Sequence, residues 1–248
     1  MTTLIVGGTR GIGSVVKQMF LDRGDRVYTA SRSVDSESNH FTIRLPDISE
    51  LDKNIKLNYL VFTHRYRGTD WDDDFDVTVK SIDVVINALV DGFQSEASIV
   101  IIGSNAGQFV VDEQSASYHA TRAALEGLVR YYAVKLGSLG IRCNCVLPNS
   151  VIKPENKDFF SKDNEVRKMI NKITPLGRMG SAEDVAKLVE FLCSPSSKYI
   201  TGQSIDIDSP EETVNMTVIK ETEMSEQKEK DFNLEEFAKD VAKKTVTE

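Results

Sequence analysis

A short β-branched run, Thr3 to Val6, breaks directly into Gly7-Gly8-Thr9-Arg10-Gly11-Ile12-Gly13, and a helical pattern from Val15 to Leu21 follows at once. Few folds accommodate that order. Glycine tolerates positive φ and lets backbone approach another backbone or a ligand, which a Cβ would block. A helix that starts inside such a turn aims its unpaired N–H groups and the positive end of its dipole at one spot. Strand, glycine turn and helix at the first strand of a chain therefore predict an α/β sheet with a diphosphate cradle. Gly7, Thr9, Arg10, Gly11, Ile12 and Gly13 would form it.

The second strand, Arg26 to Ala30, ends in Ser31-Arg32. An acidic side chain at that tip would hold a ribose 2′-hydroxyl and repel a 2′-phosphate, and none stands there. Arg10 and Arg32 supply cations beside Ser31 instead, so NADP is expected over NAD. Phe41 to Leu45 and Tyr59 to Thr63 read as the third and fourth strands. The connections before and between them fall short of the roughly dozen residues that a parallel crossover takes, so this edge should carry little helix. From Asp72 to Val90, apolar Phe75, Val79, Ile82, Ile86, Leu89 and Val90 recur at helical spacing, with Trp71 read as packing.

Ile99 to Ile102 reads as a fifth, buried strand, and a helix from Ser117 to about Leu136 follows it. Tyr118 and Arg122 are four apart on that helix and share a face, with Cβ atoms about 5–6 Å apart. A fixed cation beside a phenol stabilises its deprotonated form, so the pair suits proton transfer; a surface tyrosine over an arginine is the plain alternative. His119 points about 100° away around the helix, whereas His64, at the tip of the fourth strand, stands within reach of a ligand. Ile141 to Leu147 makes a sixth strand, ending in Pro148-Asn149. The polar stretch from Ser150 to Gly180, with one short helix around Asp163 to Lys172, reads as a substrate lid whose lysines suit an anionic or polar substrate. Ser181 then caps a helix with Glu183 and Asp184 in its first turn, and Gln203 to Ile207 supplies the seventh strand.

One large α/β domain accounts for 248 residues at 40% hydrophobic content. No run of about 18 apolar residues and no leader pattern is present, so a soluble, cytoplasmic protein is expected. Cys143, Cys145 and Cys193 are odd in number and lack a metal spacing; buried thiols and no metal are the expectation. A formal charge of −8 argues against nucleic acid or an anionic membrane as partner.

Residues 1 to about 209 resemble the short-chain dehydrogenases/reductases of the classical branch and are most similar to the ketoacyl-acyl-carrier-protein reductases. The resemblance rests on GGTRGIG, Asp47-Ile48, the Ser104 and Tyr118 pair, IRCNCVLP and the run TPLGRMGSAEDVAKLVEFLCSPSSKYITGQSIDID at 174–208. It implies a three-layer Rossmann fold with a doubly wound, seven-stranded parallel sheet, residues 1–209 forming the dinucleotide-binding and catalytic domain. It also implies an NADP-dependent oxidoreductase that moves hydride between the nicotinamide and a small-molecule carbonyl or alcohol. Tyr118 would be the general acid/base, Ser104 would hold the carbonyl oxygen, and Arg122 would bind the nicotinamide ribose. Asp47 and Ile48 would contact the adenine, and Pro148 and Val151 would complete the cofactor contacts. A homodimer or homotetramer is the family expectation.

Four departures from the pattern stand out, the last of them joining Pro148-Asn149 with Lys153. Arg122 stands where a lysine is usual, and a guanidinium cannot lose a proton. Thr78 aligns with the asparagine of the proton relay, and Phe62-Thr63-His64-Arg65 replaces Asn-Asn-Ala-Gly. Pro148-Asn149 replaces Pro-Gly, and Lys153 falls near a nicotinamide-contacting threonine. The alternative is therefore a catalytically silent dinucleotide-binding sensor or assembly subunit of the same fold. Beyond Ser209 the pattern ends. Residues 211–248 hold 11 acids against 6 bases. Asn233 with Glu236 reads as a capping box and Phe232 with Phe237 as its staple, so 210–248 is expected to be an acidic extension with a short amphipathic helix.

Overall fold

The structure, a computed structural model, describes residues 1–33, 39–111, 114–161 and 165–207. β1 (Thr2–Val6) runs through the glycine turn into α1 (Gly11–Asp22), and β2 (Arg26–Ser31) and β3 (His40–Thr42) lie successively outside it. β4 (Leu57–Phe62), β5 (Phe93–Ile102), β6 (Arg142–Pro148) and β9 (Ser204–Ile207) extend the sheet the other way, in the order β3-β2-β1-β4-β5-β6-β9, with every pair parallel. The strand order reverses between β1 and β4, which opens a crevice at the strand C-termini.

The pleat sorts the core into two layers. Leu4, Leu60, Phe62, Ile99, Ile101, Cys143, Cys145 and Leu147 face one helical layer, against α3 (Ser81–Leu89) and α4 (Ala116–Gly137). Ile5, Tyr59, Val61, Val100 and Val146 face the other, against α1 and α7 (Ala182–Cys193). A parallel sheet covered on both faces accounts for the near-continuous apolar strands. The three cysteines are free and buried in these layers.

Several boundaries differ from the sequence expectation. The third strand stops at Thr42 rather than Leu45, because the chain turns at Pro46 and closes a bridge from Arg44 to Asp47. No helix intervenes between β3 and β4. The long helical stretch is α2 (Trp71–Phe75), a π-helical turn over Asp76–Lys80, then α3. Val79, Ile82, Ile86 and Leu89 are buried, but Trp71 is 50% and Phe75 42% exposed rather than packed. The π turn widens the helix between them and the buried stripe and so rotates their face outward. After β6 come the two-residue strand β7 (Val151–Ile152), a 3₁₀ turn at Pro154–Asn156, α5 (Lys157–Ser161) and α6 (Glu165–Ile173). β8 (Gly180–Ser181) pairs with β7. The acidic extension and its capping box lie outside the described residues.

Candidate active site

The glycine turn is shaped by contacts that side chains would break. Gly7 (φ +91°) and Gly11 (φ +56°) are left-handed, and a Cβ on Gly13 would lie 2.3 Å from the Gly7 carbonyl oxygen and 2.4 Å from Thr63 Oγ1. No side chain caps the start of α1. The turn, the helix start and the strand ends bound a cavity of about 490 Å³.

Most of the expected site residues meet there. Gly7, Thr9, Arg10, Gly11 and Ile12 line one wall, Ser31 and Arg32 the tip of β2, and Ser104, Tyr118 and Arg122 the opposite end, with Pro148 and Val151 above. Gly13 packs beneath the wall. Asp47 and Ile48 are not brought to it: the Asp47 carboxylate accepts the Ser49 backbone N–H at 2.9 Å, and Ile48 is buried in the core. Arg44 and Leu45 line the cavity at that end instead, because the chain has already turned.

Ser115 caps α4 by accepting the Tyr118 N–H at 3.1 Å, which fixes the turn that presents the phenol. One helical turn on, the Arg122 guanidinium lies 4.5 Å over the Tyr118 ring. Arg122 is 2% exposed, and its Nε and Nη2 have no partner. Buried donors call for acceptors, and a ribose hydroxyl is one that suits them. Together with a cradle that a Cβ would fill, this fits a dinucleotide. Ser104 Oγ accepts the Ala106 N–H at 3.2 Å, capping the 3₁₀ turn Asn105–Gly107, and remains on the cavity wall.

His64 also lines the cavity, but its Nε2 is engaged elsewhere, donating to the Val77 carbonyl at 2.9 Å with Ser81 Oγ 3.0 Å away. Burial pulls its pKa down to about 4, so the ring is neutral and Nδ1 is a buried acceptor without a partner. His119 is a pin: Nδ1 donates to the Ser115 carbonyl at 2.8 Å and Nε2 accepts the Val111 N–H at 2.9 Å.

A carboxylate that sequence reasoning missed lies beneath. Asp74, 3% exposed, accepts Thr78 Oγ1 at 2.8 Å, Ser117 Oγ at 3.0 Å and Thr121 Oγ1 at 3.4 Å. It ties the π turn to the first turn of α4. Nothing local in the sequence marks it among the acids of Asp70 to Asp76.

A family model described as enoyl-(acyl carrier protein) reductase matches residues 62–209. Senescence-associated protein 13 of Arabidopsis thaliana is 32% identical over 242 residues, covering 84% of this chain and 88% of that protein. The chain belongs to the short-chain dehydrogenase/reductase family. Two solved structures share the fold. A 3-oxoacyl-[acyl-carrier protein] reductase with bound NAD from Brucella melitensis has a TM-score of 0.72 at 24% identity, over 83% of this chain and 88% of its own. BdcA in complex with NADPH has a TM-score of 0.73 at 24% identity, over 86% and 97%.

Members of this family are NAD(P)-dependent oxidoreductases, and the departures from its pattern now have positions. Phe62 turns into the core and does not line the cavity, so it adds no bulk there. Arg65 and Lys153 do line it. Burial, reinforced by Arg65, pulls Lys153 down to about 8. Thr78 sits in the π turn with its hydroxyl donated to Asp74 rather than to a relay.

Proposed function

We propose that the protein is an NADP-dependent oxidoreductase that interconverts a small-molecule carbonyl and its alcohol, with Tyr118 as general acid/base. The observation that carries it is the convergence of Ser104, Tyr118 and Arg122 on the cavity that the glycine turn lines. A bound nicotinamide supplies or accepts the hydride. In reduction Tyr118 gives its phenolic proton to the carbonyl oxygen, and Ser104 donates a hydrogen bond to the same oxygen as charge develops on it. In oxidation Tyr118, as the phenolate, takes the alcohol proton while Ser104 keeps its hydrogen bond to that oxygen. Arg122, fixed over the ring, offers Nε and Nη2 to a ribose hydroxyl. NADP is preferred because Arg10, Arg32 and Arg44 line the wall beside β2, and the tip of that strand carries Ser31 and no acid. The related structures with NAD and with NADPH support a nicotinamide dinucleotide and leave this choice to the arginines.

NADPH turnover should be measured across a panel of ketones and aldehydes. The expected loss in Tyr118→Phe is at least about 10²–10⁴-fold; unchanged turnover would remove Tyr118 from the mechanism. One observation favours a catalytically silent dinucleotide-binding protein: the cation beneath Tyr118 is a buried arginine, which cannot pass a proton onward. Arg122→Lys separates the two. Loss of existing turnover marks a retuned enzyme, and gain of turnover from none marks a decayed site.

A further inference from the structure

Among the described residues, a single acid stands with the cations of the cavity. Arg10, Arg32 and Arg44 line the end beside β2, Arg65, Arg67 and Lys153 the side that meets the polar segment after β6, and among the described residues Glu155 is the sole carboxylate on the lining. In a chain of net charge −8 this is a concentrated positive field. Glu155 reaches into it from the 3₁₀ turn Pro154–Asn156. Its Oε1 lies 2.9 Å and its Oε2 3.6 Å from the place where a Cβ on Gly11 would stand. The same Oε1 lies 3.9 Å from Arg67 Nη2. Gly11 opens α1 in a left-handed conformation. The carboxylate therefore sits over the backbone against which a diphosphate would rest. Two anions cannot share that position without strong repulsion.

We propose that Glu155 stands in for a cofactor phosphate, with Arg67 as its counter-ion, and that an incoming diphosphate displaces it, takes over Arg67 and frees segment 153–161 from the glycine turn. This rests on the dinucleotide reading above. It adds the Arg67 cation to the phosphate site that the glycine turn's backbone forms, and it couples cofactor binding to the position of segment 153–161.

The test titrates NADPH and NADH calorimetrically into the full chain, its Glu155→Gln and its Arg67→Gln variants. Hydrogen exchange over 153–161 is followed with and without NADPH. Glu155→Gln is expected to bind NADPH about tenfold more tightly and Arg67→Gln about tenfold more weakly. Exchange over 153–161 should rise in the natural chain when NADPH is added, and should already be raised in Glu155→Gln without it. Equal or weaker binding by Glu155→Gln overturns the displacement while leaving dinucleotide binding intact. Tighter binding with unchanged exchange also overturns it, because a merely repulsive neighbour changes affinity without moving. If neither dinucleotide binds the natural chain or Glu155→Gln, the displacement and the dinucleotide reading fall together.

Discussion

Lys153 is a lysine held among arginines. Burial first, then Arg65, Arg67 and Arg122, lower its pKa to about 8, and Glu155 only partly offsets them. An anion bound beside it would raise that value again. A site whose free form has the lower pKa binds the anion best while the lysine is protonated, so the affinity for NADPH that the proposed function calls for should hold below pH 8 and fall as pH rises through it. Calorimetry at a pH just above that value, in buffers of different ionisation enthalpy, should show proton uptake on binding that disappears in Lys153→Met. Absence of uptake in the natural chain would place Lys153 away from the phosphates. At this scale the sequence was informative where partners are close along the chain. Tyr118 and Arg122 sit one helical turn apart, and the structure stacks one on the other. Glu155 against Gly11 and Arg67 was not legible, because it joins three segments that meet only in the folded chain.

The π turn between α2 and α3 and the first turn of α4 are fastened by Asp74. Its acceptor oxygens serve Thr78 from one element and Ser117 and Thr121 from the other. Asp74→Ala would leave the buried Thr78 hydroxyl without its carboxylate acceptor and should cost about 1–3 kcal/mol in urea unfolding. It should also lower turnover, because Tyr118 adjoins Ser117 in the same turn; a variant of unchanged stability and turnover would show the bond to be idle. Elements with strong local signals were legible. The Ser181 cap with Asp184 at the third helical position marked the start of α7, and the alternating faces of β4, β5 and β6 follow from their apolar runs. Elements without periodicity were not. β7 and β8 are two residues each, and the π turn leaves an ordinary helical pattern in the letters while turning Trp71 and Phe75 outward.

Across the whole molecule, charge and fold diverge in what the sequence discloses. The Rossmann sheet was readable because its motifs recur in chain order from the glycine turn to β9, and each is local. The positive cavity was hidden inside a net charge of −8, since its cations come from the glycine turn, the tip of β2, the turn after β3, the loop after β4, α4 and the segment after β6. No helix among the described residues is long and apolar enough to cross a membrane. In the function proposed above, these features serve hydride transfer at a carbonyl carbon beside Tyr118. The most direct measurement supplies NADPH carrying deuterium at the transferable C4 position, together with a ketone that the chain turns over, and analyses the alcohol by mass spectrometry. Deuterium on the former carbonyl carbon with the natural chain, and none with Tyr118→Phe, is the predicted result. Alcohol formed without label, or equal labelling by both chains, would contradict it.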